Sequence, residues 1–548
     1  MTSIQPAALP IKGTPGQVKT QPAWISALLV LAAGYAHALS IAWPFAGIGP
    51  LQTGQAWGGL QIGSLAVLAW QLGPTLAARR VGQAAKLAWL FACAMLCGTF
   101  WWLYISMHFF GGLPAPLAVL AVFALAAALS LYYALAAALL AWLAPTGAAA
   151  RAALFAGTWL LAEIARVQIF TGFPWGEGGY AHIDGWALPL AGWVGVHGLT
   201  LLAAFVAALL AACLRALQAS RSMQAGMATV TLLVVCLLVS LLPAAYAPAP
   251  LRAPLSVTLV QGNIAQDQKF QAGTGVRDAL NFYAEQLQAA QTALIVLPET
   301  ALPLLPAQLP PGYWEAIEQR FARGQQAALI GLPMGTAQAG YSNAVIGLKP
   351  GAPAYRYDKH HLVPFGEFVP PFFQWFIRMM NIPLGDFNRG PLVQTALEWQ
   401  GERLAPNICY EDLFGEEIGA QFKDAARAPT VLVNVSNIAW FGNTVAIDQH
   451  LNISRMRALE FARPMLRATN TGATVVIDAQ GRVTHALERH TRGALVAQVQ
   501  GADGLTLYAR WVSHFGLAPW WLLGGSALLI AALARWRTTR PSWVRGVK

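Results

Sequence analysis

Three polar residues in the second half of the chain have the side chains that nucleophilic catalysis needs. Glu299 follows an apolar run in "IVLPET", Lys359 lies in "YDKHHLVPFGE", and Cys409 lies in "NICYED". A thiol at its ordinary pKa of about 8.5 is mostly protonated at neutral pH, so it needs a base. A carboxylate can take that proton, and a lysine can stabilise the oxyanion that forms. The three residues therefore predict a nucleophile, an oxyanion stabiliser and a general base, provided that the fold brings them together.

Each of these residues taken alone also has an ordinary structural interpretation. Glu299 fits an exposed carboxylate at a strand end, and Lys359 fits a solvated lysine. The chain has five cysteines, and Cys409 is the only one outside the long apolar stretches. A single thiol outside the membrane pairs with another molecule, is buried and inert, or is reactive. The residue types leave these alternatives open.

No motif in the chain predicts a metal or a cofactor. His360 and His361 are adjacent, which is not the spacing of metal ligands. Neither a P-loop nor a Cys/His cluster of metal-binding spacing is present. We therefore expect chemistry that uses neither a metal nor a cofactor.

The composition is that of a membrane protein. The chain has 548 residues, of which 56% are hydrophobic and 11% charged, whereas a soluble domain has roughly 25% charged residues. Apolar stretches of about 18 residues or more predict spanning helices, because about 20 residues cross the hydrocarbon core. Eight such stretches lie near 24–44, 56–76, 87–109, 116–143, 152–170, 187–214, 228–247 and 516–534.

The excess of positive over negative charge lies in the apolar regions. The net charge of +11 is the sum of +6 in residues 1–250 and +5 in residues 511–548, while residues 251–510 are neutral. This distribution argues against a basic groove for nucleic acid. Loops that carry Lys or Arg alternate with loops that carry neither, so the positive-inside rule places both termini in the cytoplasm and 248–515 outside. A cleaved signal peptide ending at "AHA" (36–38) is the alternative for the N-terminus.

The outer segment has the pattern of an α/β domain. Short β-branched runs such as "LSVTLVQ" and "TVLVNVS" alternate with helical stretches at 276–290 and 446–462. Such alternation predicts a largely buried sheet covered by helices. We therefore divide the chain into three parts: a membrane domain of about seven helices (1–247), a catalytic domain (248–510), and a last helix with a basic tail (511–548).

The motifs and their order resemble a known family. "LPET", "YDKHHLVPFGE" and "NICYED" resemble the Glu-Lys-Cys triad of the nitrilase superfamily, and the eight-helix frame resembles the bacterial apolipoprotein N-acyltransferases. "LVQGNIAQDQKF", "NVSNIAWFG" and "RMRALEFARPMLRATNTG" extend the resemblance over nearly the whole chain. The implied fold is a membrane helix bundle joined to a nitrilase-like αββα sandwich. One position departs from the family: Ile438 replaces an aspartate, which leaves local hydrogen bonding in question.

The resemblance also implies an activity. The family transfers an acyl chain from a phospholipid to the α-amino group of a lipoprotein's S-diacylglyceryl cysteine. By resemblance, Cys409 carries the chain as a thioester and Glu299 is the base. Lys359 and the backbone N–H of Tyr410 hold the oxyanion. Supporting roles fall to Glu367, which orients Lys359 or a water, and to Glu411. The implied setting is the bacterial inner membrane, with a phospholipid donor, an apolipoprotein acceptor, no nucleic acid and a monomeric enzyme.

Aromatic segments near the triad suggest where lipid binds. The stretch "FVPPFFQWFIRMMNIPLG" (368–385) is apolar and punctuated by proline, and we predict a lid that gates lipid entry. Phe372 and Trp375 in this stretch, with Trp440 and Phe441, are candidate substrate-binding residues. A loop packed on its own domain, and an ordinary aromatic core, are the alternatives. Glu163 and Arg166, three residues apart in the fifth apolar stretch, are expected to pair.

Two other functions are compatible with parts of the sequence. A membrane-tethered nitrilase-type amidase would have the same triad and use water as its acceptor. A transporter or receptor with a sensing domain would need polar, interrupted spans that converge on a midplane site. The spans here are rich in alanine and leucine, and this alternative leaves the Glu-Lys-Cys set unexplained.

Overall fold

The computed structural model describes residues 22–49, 51–243, 253–370, 373 and 386–539. Its N-terminal part is a bundle of seven long helices. These are α1 (Ala23–Ile41), α2 (Gly58–Ala77), α3 (Val81–Phe100), α4 (Ala115–Leu143), α5 (Ala148–Gln168), α6 (Ala191–Gln218) and α7 (Ser222–Leu241).

Within the described ranges, seven helices are both long and apolar enough to cross a membrane: all of these except α2, together with the C-terminal helix Ala518–Thr539. Helix α2, predicted at 56–76, has 20 residues and packs against α1 and α6. It is less apolar because buried polar side chains face the bundle interior, where Gln61 donates to the carbonyl of Gly178 at 2.7 Å. The predicted architecture of about eight helices is confirmed, and α2 is the polar member.

The predicted ion pair in α5 is present and buried. Arg166 lies 2.7 Å from Glu163, and both side chains are inaccessible to solvent. A second guanidinium nitrogen donates to the carbonyls of Phe173 and Trp175 at 2.7 and 2.8 Å. Breaking a buried pair costs several kcal/mol, because the remaining charge has no partner. The pair braces the loop that follows α5.

The outer part of the chain folds into two six-stranded sheets, with strand orders β12-β1-β2-β3-β4-β5 and β11-β10-β9-β8-β7-β6. Every β-branched run noted in the sequence forms a strand. The strands are β1 (Leu255–Gln261), β2 (Leu294–Val296), β3 (Ala327–Thr336), β4 (Gly340–Leu348), β5 (Tyr355–Asp358), β6 (Leu397–Trp399), β7 (Glu402–Ile408), β8 (Val431–Ser436), β9 (Met465–Thr469), β10 (Val475–Ile477), β11 (Val483–Ala486) and β12 (Gly493–Val499).

The two sheets pack face to face, and helices cover both outer faces. Helices α8 (Arg277–Ala289) and α9 (Tyr313–Arg323) share a core with the first sheet. The remaining helices are α10 (Gly415–Ala420), α11 (Ala446–Phe461), α12 (Leu507–Phe515) and α13 (Ala518–Thr539). Helix α11 packs on the second sheet. The predicted αββα sandwich is therefore confirmed.

Helix α11 joins the sandwich to the bundle. Its Gln449 side chain accepts hydrogen bonds from two bundle indoles, Trp102 at 3.1 Å and Trp175 at 2.8 Å. Its Glu460 accepts from the N–H of Val196 at 2.7 Å. That N–H is free to point outward because Gly195, at φ +66°, kinks α6. One continuous apolar core, named here the shared core, runs from the bundle through α11 to the second sheet.

Candidate functional site

Strand direction brings the ends of three strands to one place. Strands β2 and β3 are parallel, and β5 is antiparallel to β4, which is antiparallel to β3. The carboxyl ends of β2 and β5 therefore lie at the same edge, with Glu299 just beyond β2 and Lys359 just beyond β5. Cys409 follows β7 in the facing sheet. The three predicted residues thus come from three separate strand ends, where α/β proteins place their sites.

A buried lysine lies between two carboxylates. The Lys359 ammonium is 3.6 Å from Glu299 and 2.8 Å from Glu367, and Lys359 is only 1% exposed. The Asn343 amide donates to both carboxylates, at 2.8 and 2.9 Å. Burial favours the neutral amine, but Glu367 and Glu299 outweigh that effect and raise the pKa of Lys359 above its ordinary value. Lys359 is therefore a fixed positive charge.

Three residues of the site were not predicted from the sequence. Besides Asn343, the backbone N–H of Asn437 donates to the second oxygen of Glu299 at 2.8 Å. Lys269 donates to the main-chain carbonyl of Glu299 at 3.2 Å. Burial lowers the pKa of Lys269 to about 8, although Glu299 and Cys409 oppose the shift. Lys269 lies in the motif "LVQGNIAQDQKF". The sequence signal that could have identified it is that it is the only lysine in this motif.

The cysteine has an unusual backbone and a protonated thiol. Cys409 begins a 3₁₀ turn with φ at +52°, a left-handed conformation that costs a residue with a Cβ atom about 1–3 kcal/mol. Burial raises the pKa of its thiol to about 12, and Glu299 adds to this while Lys359 opposes it. The thiol is therefore protonated at neutral pH, and a base must remove its proton during attack.

The Glu411 carboxylate ties the lysine loop to the cysteine turn. One oxygen accepts from the N–H groups of His360 and His361 at 2.6 and 3.2 Å. The other accepts from the N–H of Ile408 at 2.6 Å and the hydroxyl of Tyr357 at 2.9 Å. Burial raises the pKa of Glu411 to about 7, against the effect of these N–H donors. Glu411 thus holds the loop of Lys359 and the turn of Cys409 together, and its supporting role in the reaction stays a prediction.

Tyr410 connects the turn to the membrane bundle. Its hydroxyl donates to the carbonyl of Gly172 at 3.2 Å, in the loop after α5. Gly172 has φ +82°, and a side chain there would overlap the carbonyl of Val167. The ion pair of Arg166 holds the same loop from inside the bundle, through the carbonyl of Phe173. The residue next to the cysteine is therefore anchored on a loop of the membrane bundle.

The aromatic candidates lie at the boundary between sandwich and bundle. Phe441 packs on Trp102, with ring centroids 4.2 Å apart, and Trp440 packs on Phe110 at 5.7 Å. Both rings are partly exposed. Their role in substrate binding stays a prediction. Phe372 and Trp375 lie outside the described residues.

The described ends of the predicted lid segment meet beside the site. The N–H of Phe387 donates to the main-chain carbonyl of Glu367 at 2.9 Å, and the N–H of Val369 donates to Asp386 at 3.1 Å. The ring of Phe373 is 42% exposed. The described residues on either side of the predicted lid thus meet at Glu367, whose carboxylate contacts Lys359.

Ile438, the departure from the family motif, needs no polar partner. It is 1% exposed and lies in the shared core, and a side chain at Gly472 would meet it. The aliphatic side chain is satisfied by apolar packing at this position. The hydrogen bonds of Glu299 and Lys359 do not pass through it.

Comparisons with known proteins cover nearly the whole chain. The family model described as "Apolipoprotein N-acyltransferase N-terminal domain" matches residues 38–209, and "Carbon-nitrogen hydrolase" matches 256–504. An apolipoprotein N-acyltransferase of Verminephrobacter eiseniae is 54% identical over 503 residues, covering 89% of this chain and 92% of that protein. One from Ralstonia nicotianae is 45% identical over 489 residues, covering 88% and 90%.

Solved structures resemble about half of the chain. The C. elegans NitFhit protein has 16% identity and a TM-score of 0.35, covering 49% of this chain and 64% of that one. A carbon-nitrogen hydrolase from Helicobacter pylori G27 has 15% identity and a TM-score of 0.33, covering 49% and 94%.

Proposed function

Because this chain belongs to the apolipoprotein N-acyltransferase family, we propose that Cys409 carries the acyl chain that is transferred to lipoproteins. The chain is a multi-pass bacterial membrane protein, and its reaction is lipoprotein N-acylation. The observation that carries the residue assignment is the buried Lys359. Lys359 lies between Glu299 and Glu367, and the charges of these residues act on the thiol of Cys409.

The first half-reaction forms a thioester. Sγ of Cys409 bonds to the ester carbonyl carbon of a phospholipid, and Glu299 takes the thiol proton. Lys359 and the N–H of Tyr410 hold the oxyanion. The intermediate collapses by breaking the carbon–oxygen bond, and Glu299 returns the proton to the departing lysophospholipid oxygen. The high pKa of the thiol supports this concerted base catalysis over a preformed thiolate.

The second half-reaction forms the amide. The α-amino nitrogen of the S-diacylglyceryl cysteine attacks the thioester carbon, and Glu299 takes a proton from the amine. The carbon–sulfur bond then breaks, and the proton passes to the Cys409 sulfur. The thiol is restored, so the same base and oxyanion donors serve both steps. This two-step exchange is a ping-pong mechanism.

The orientation and the domain limits belong to the same proposal. We place the catalytic domain, 248–510, in the periplasm and both termini in the cytoplasm. Support comes from the basic loops, which alternate with loops that lack Lys and Arg along residues 1–250. In this proposal the enzyme is a monomer, and nucleic acid is not among its partners. Its substrates stay in the bilayer, which fits a site built directly on the bundle.

Label transfer tests the proposed function against the amidase alternative, which the family assignment does not favour. The enzyme is incubated with phospholipid bearing an isotope-labelled acyl chain and with a diacylglyceryl lipopeptide. We expect the label in an amide on the lipopeptide's α-amine, because that nitrogen is the acceptor in the second half-reaction. An N-acetylated lipopeptide is the control and should gain none. Release of labelled free fatty acid at the same rate with either peptide would support the amidase.

Replacing the aromatic residues of the lid segment tests lipid gating. The variant has serine in place of four aromatic residues: Phe372, Phe373, Trp375 and Phe376. It should turn over bilayer phospholipid roughly tenfold more slowly or worse, because these rings would contact acyl chains. Turnover of a short-chain, water-soluble ester should change little. The two rates are compared by mass spectrometry of the acyl-enzyme. Equal rates for variant and wild type on bilayer phospholipid would reject the lid.

A further inference from the structure

The main-chain carbonyl of Cys409 is held by two buried side chains. Nε2 of His450 lies 3.2 Å from this oxygen, and Nδ2 of Asn434 lies 3.3 Å from it. Both side chains are fully buried. A carbonyl with two side-chain donors is firmly oriented, because turning the peptide would break both of these hydrogen bonds. The reacting residue thus has an anchored backbone in addition to its left-handed φ.

The hydrogen-bond partners fix which atoms donate. A guanidinium nitrogen of Arg467 lies 2.7 Å from Nδ1 of His450, and arginine can only donate, so Nδ1 accepts and Nε2 carries the proton. That proton is shared between the Cys409 carbonyl and Asp412, which is 2.8 Å away. Arg467 also donates to Oδ1 of Asn434 at 3.1 Å, which turns the amide's N–H₂ toward the carbonyl.

The anchored carbonyl sets the direction of the next N–H. The carbonyl of Cys409 and the N–H of Tyr410 belong to one trans peptide unit, so they point in opposite directions. Holding the carbonyl on the side of His450 and Asn434 therefore aims the N–H away from them. This N–H lies in the first turn of a helix, where N–H groups have no partner within the helix.

We propose that His450 and Asn434 are positioning residues of the oxyanion hole, acting through the Cys409–Tyr410 peptide. Their hydrogen bonds reach the main-chain oxygen of Cys409 and not its thiol. Asp412 and Arg467 hold them in place. The inference rests on the proposed function, in which the N–H of Tyr410 stabilises the oxyanion. Rotation of this peptide would misdirect that donor while leaving the thiol attached to the same strand.

Two reactions of the same thiol separate this role from a structural one. Acylation by phospholipid passes through an oxyanion, whereas alkylation by iodoacetamide displaces iodide and forms none. In the full-length enzyme, His450→Phe should slow acylation of Cys409 by about 100-fold, because a donor misplaced by about 1 Å loses most of its effect. Alkylation of the Cys409 peptide should change less than about threefold, since it does not use the oxyanion donor. His450→Gln, which keeps an N–H donor, should recover part of the acylation rate.

Further variants keep the test decisive. Asn434→Ala removes the second hydrogen-bond donor to the Cys409 carbonyl, and it should also slow acylation more than alkylation. This variant provides the test if His450→Phe does not fold. Thr506→Ala is the matched control. The Thr506 hydroxyl caps α12 by accepting a hydrogen bond from the N–H of Ala509 at 3.0 Å, and it does not contact the Cys409 peptide. It should lower thermal stability with both rates kept.

The outcomes are distinguishable. Equal loss of acylation and alkylation would mean that the thiol itself is displaced, and it would overturn the inference. Unchanged acylation in both anchor variants would overturn it as well. Absence of acylation in the wild type would instead reject the proposed function on which it rests.

Discussion

Cys409→Ala should abolish acyl-enzyme formation. Incubated with phospholipid and no amine acceptor, the wild-type protein should gain the mass of one acyl chain, and hydroxylamine should remove it. The alanine variant should gain none. The reason is that Cys409 is the only cysteine beside Glu299 and Lys359, whose charges act directly on its thiol. Intact-protein mass spectrometry measures the gain.

The other cysteines provide the matched control. Cys93, Cys97, Cys213 and Cys236 are free thiols in the membrane helices. A variant with alanine at all four should gain the acyl chain as the wild type does. No gain on a folded wild-type protein would remove the phospholipid as donor. A gain that survives Cys409→Ala would place the nucleophile elsewhere.

Glu299→Gln should slow both half-reactions by about 10²–10⁴, the range that a positioned general base contributes. Glutamine keeps the shape and can still accept the N–H of Asn437, but it cannot take a proton. The loss should therefore appear in the rate of thioester formation and again in the rate of aminolysis. Single-turnover measurements, one with phospholipid alone and one with preformed acyl-enzyme and lipopeptide, separate the two rates.

Glu367→Gln is the control for this variant. Glu367 also contacts Lys359, at 2.8 Å, and shares Asn343 with Glu299. Its replacement removes one negative charge from the same cluster, but Lys359 keeps Glu299 at 3.6 Å. We expect a smaller loss, from a less well oriented ammonium. If the two variants lose activity equally, Glu299 has no special role as the base.

The sequence predicted those parts of the site that follow from local pattern. Glu299 and Cys409 each follow an apolar run, and the strands formed as expected, so their carboxyl ends brought them together. Asn343 could not be predicted in this way. It lies inside a strand and reaches Glu299 only because of the register between β3 and β4, which the residue types do not specify. The same holds for Lys269, whose partner is a main-chain carbonyl.

Contacts between distant parts of the chain could not be predicted from the sequence either. Tyr410 meets the carbonyl of Gly172, 238 residues earlier, and nothing local to either residue indicates it. Helix α2 illustrates the opposite case. Its position was predicted from length and composition, but its polar side chains serve packing inside the bundle, which hydropathy alone cannot distinguish from a weak span.

The shared core has a consequence for how the enzyme is made. The bundle residues are synthesised first, and domains generally fold in that order. Those earlier helices form the apolar surface on which Tyr410, Phe414 and α11 pack. A catalytic domain released from the membrane would expose this apolar face and lose the anchor beside its nucleophile. We therefore expect a catalytic domain that is not docked on the bundle to have little activity on phospholipids away from their acceptor.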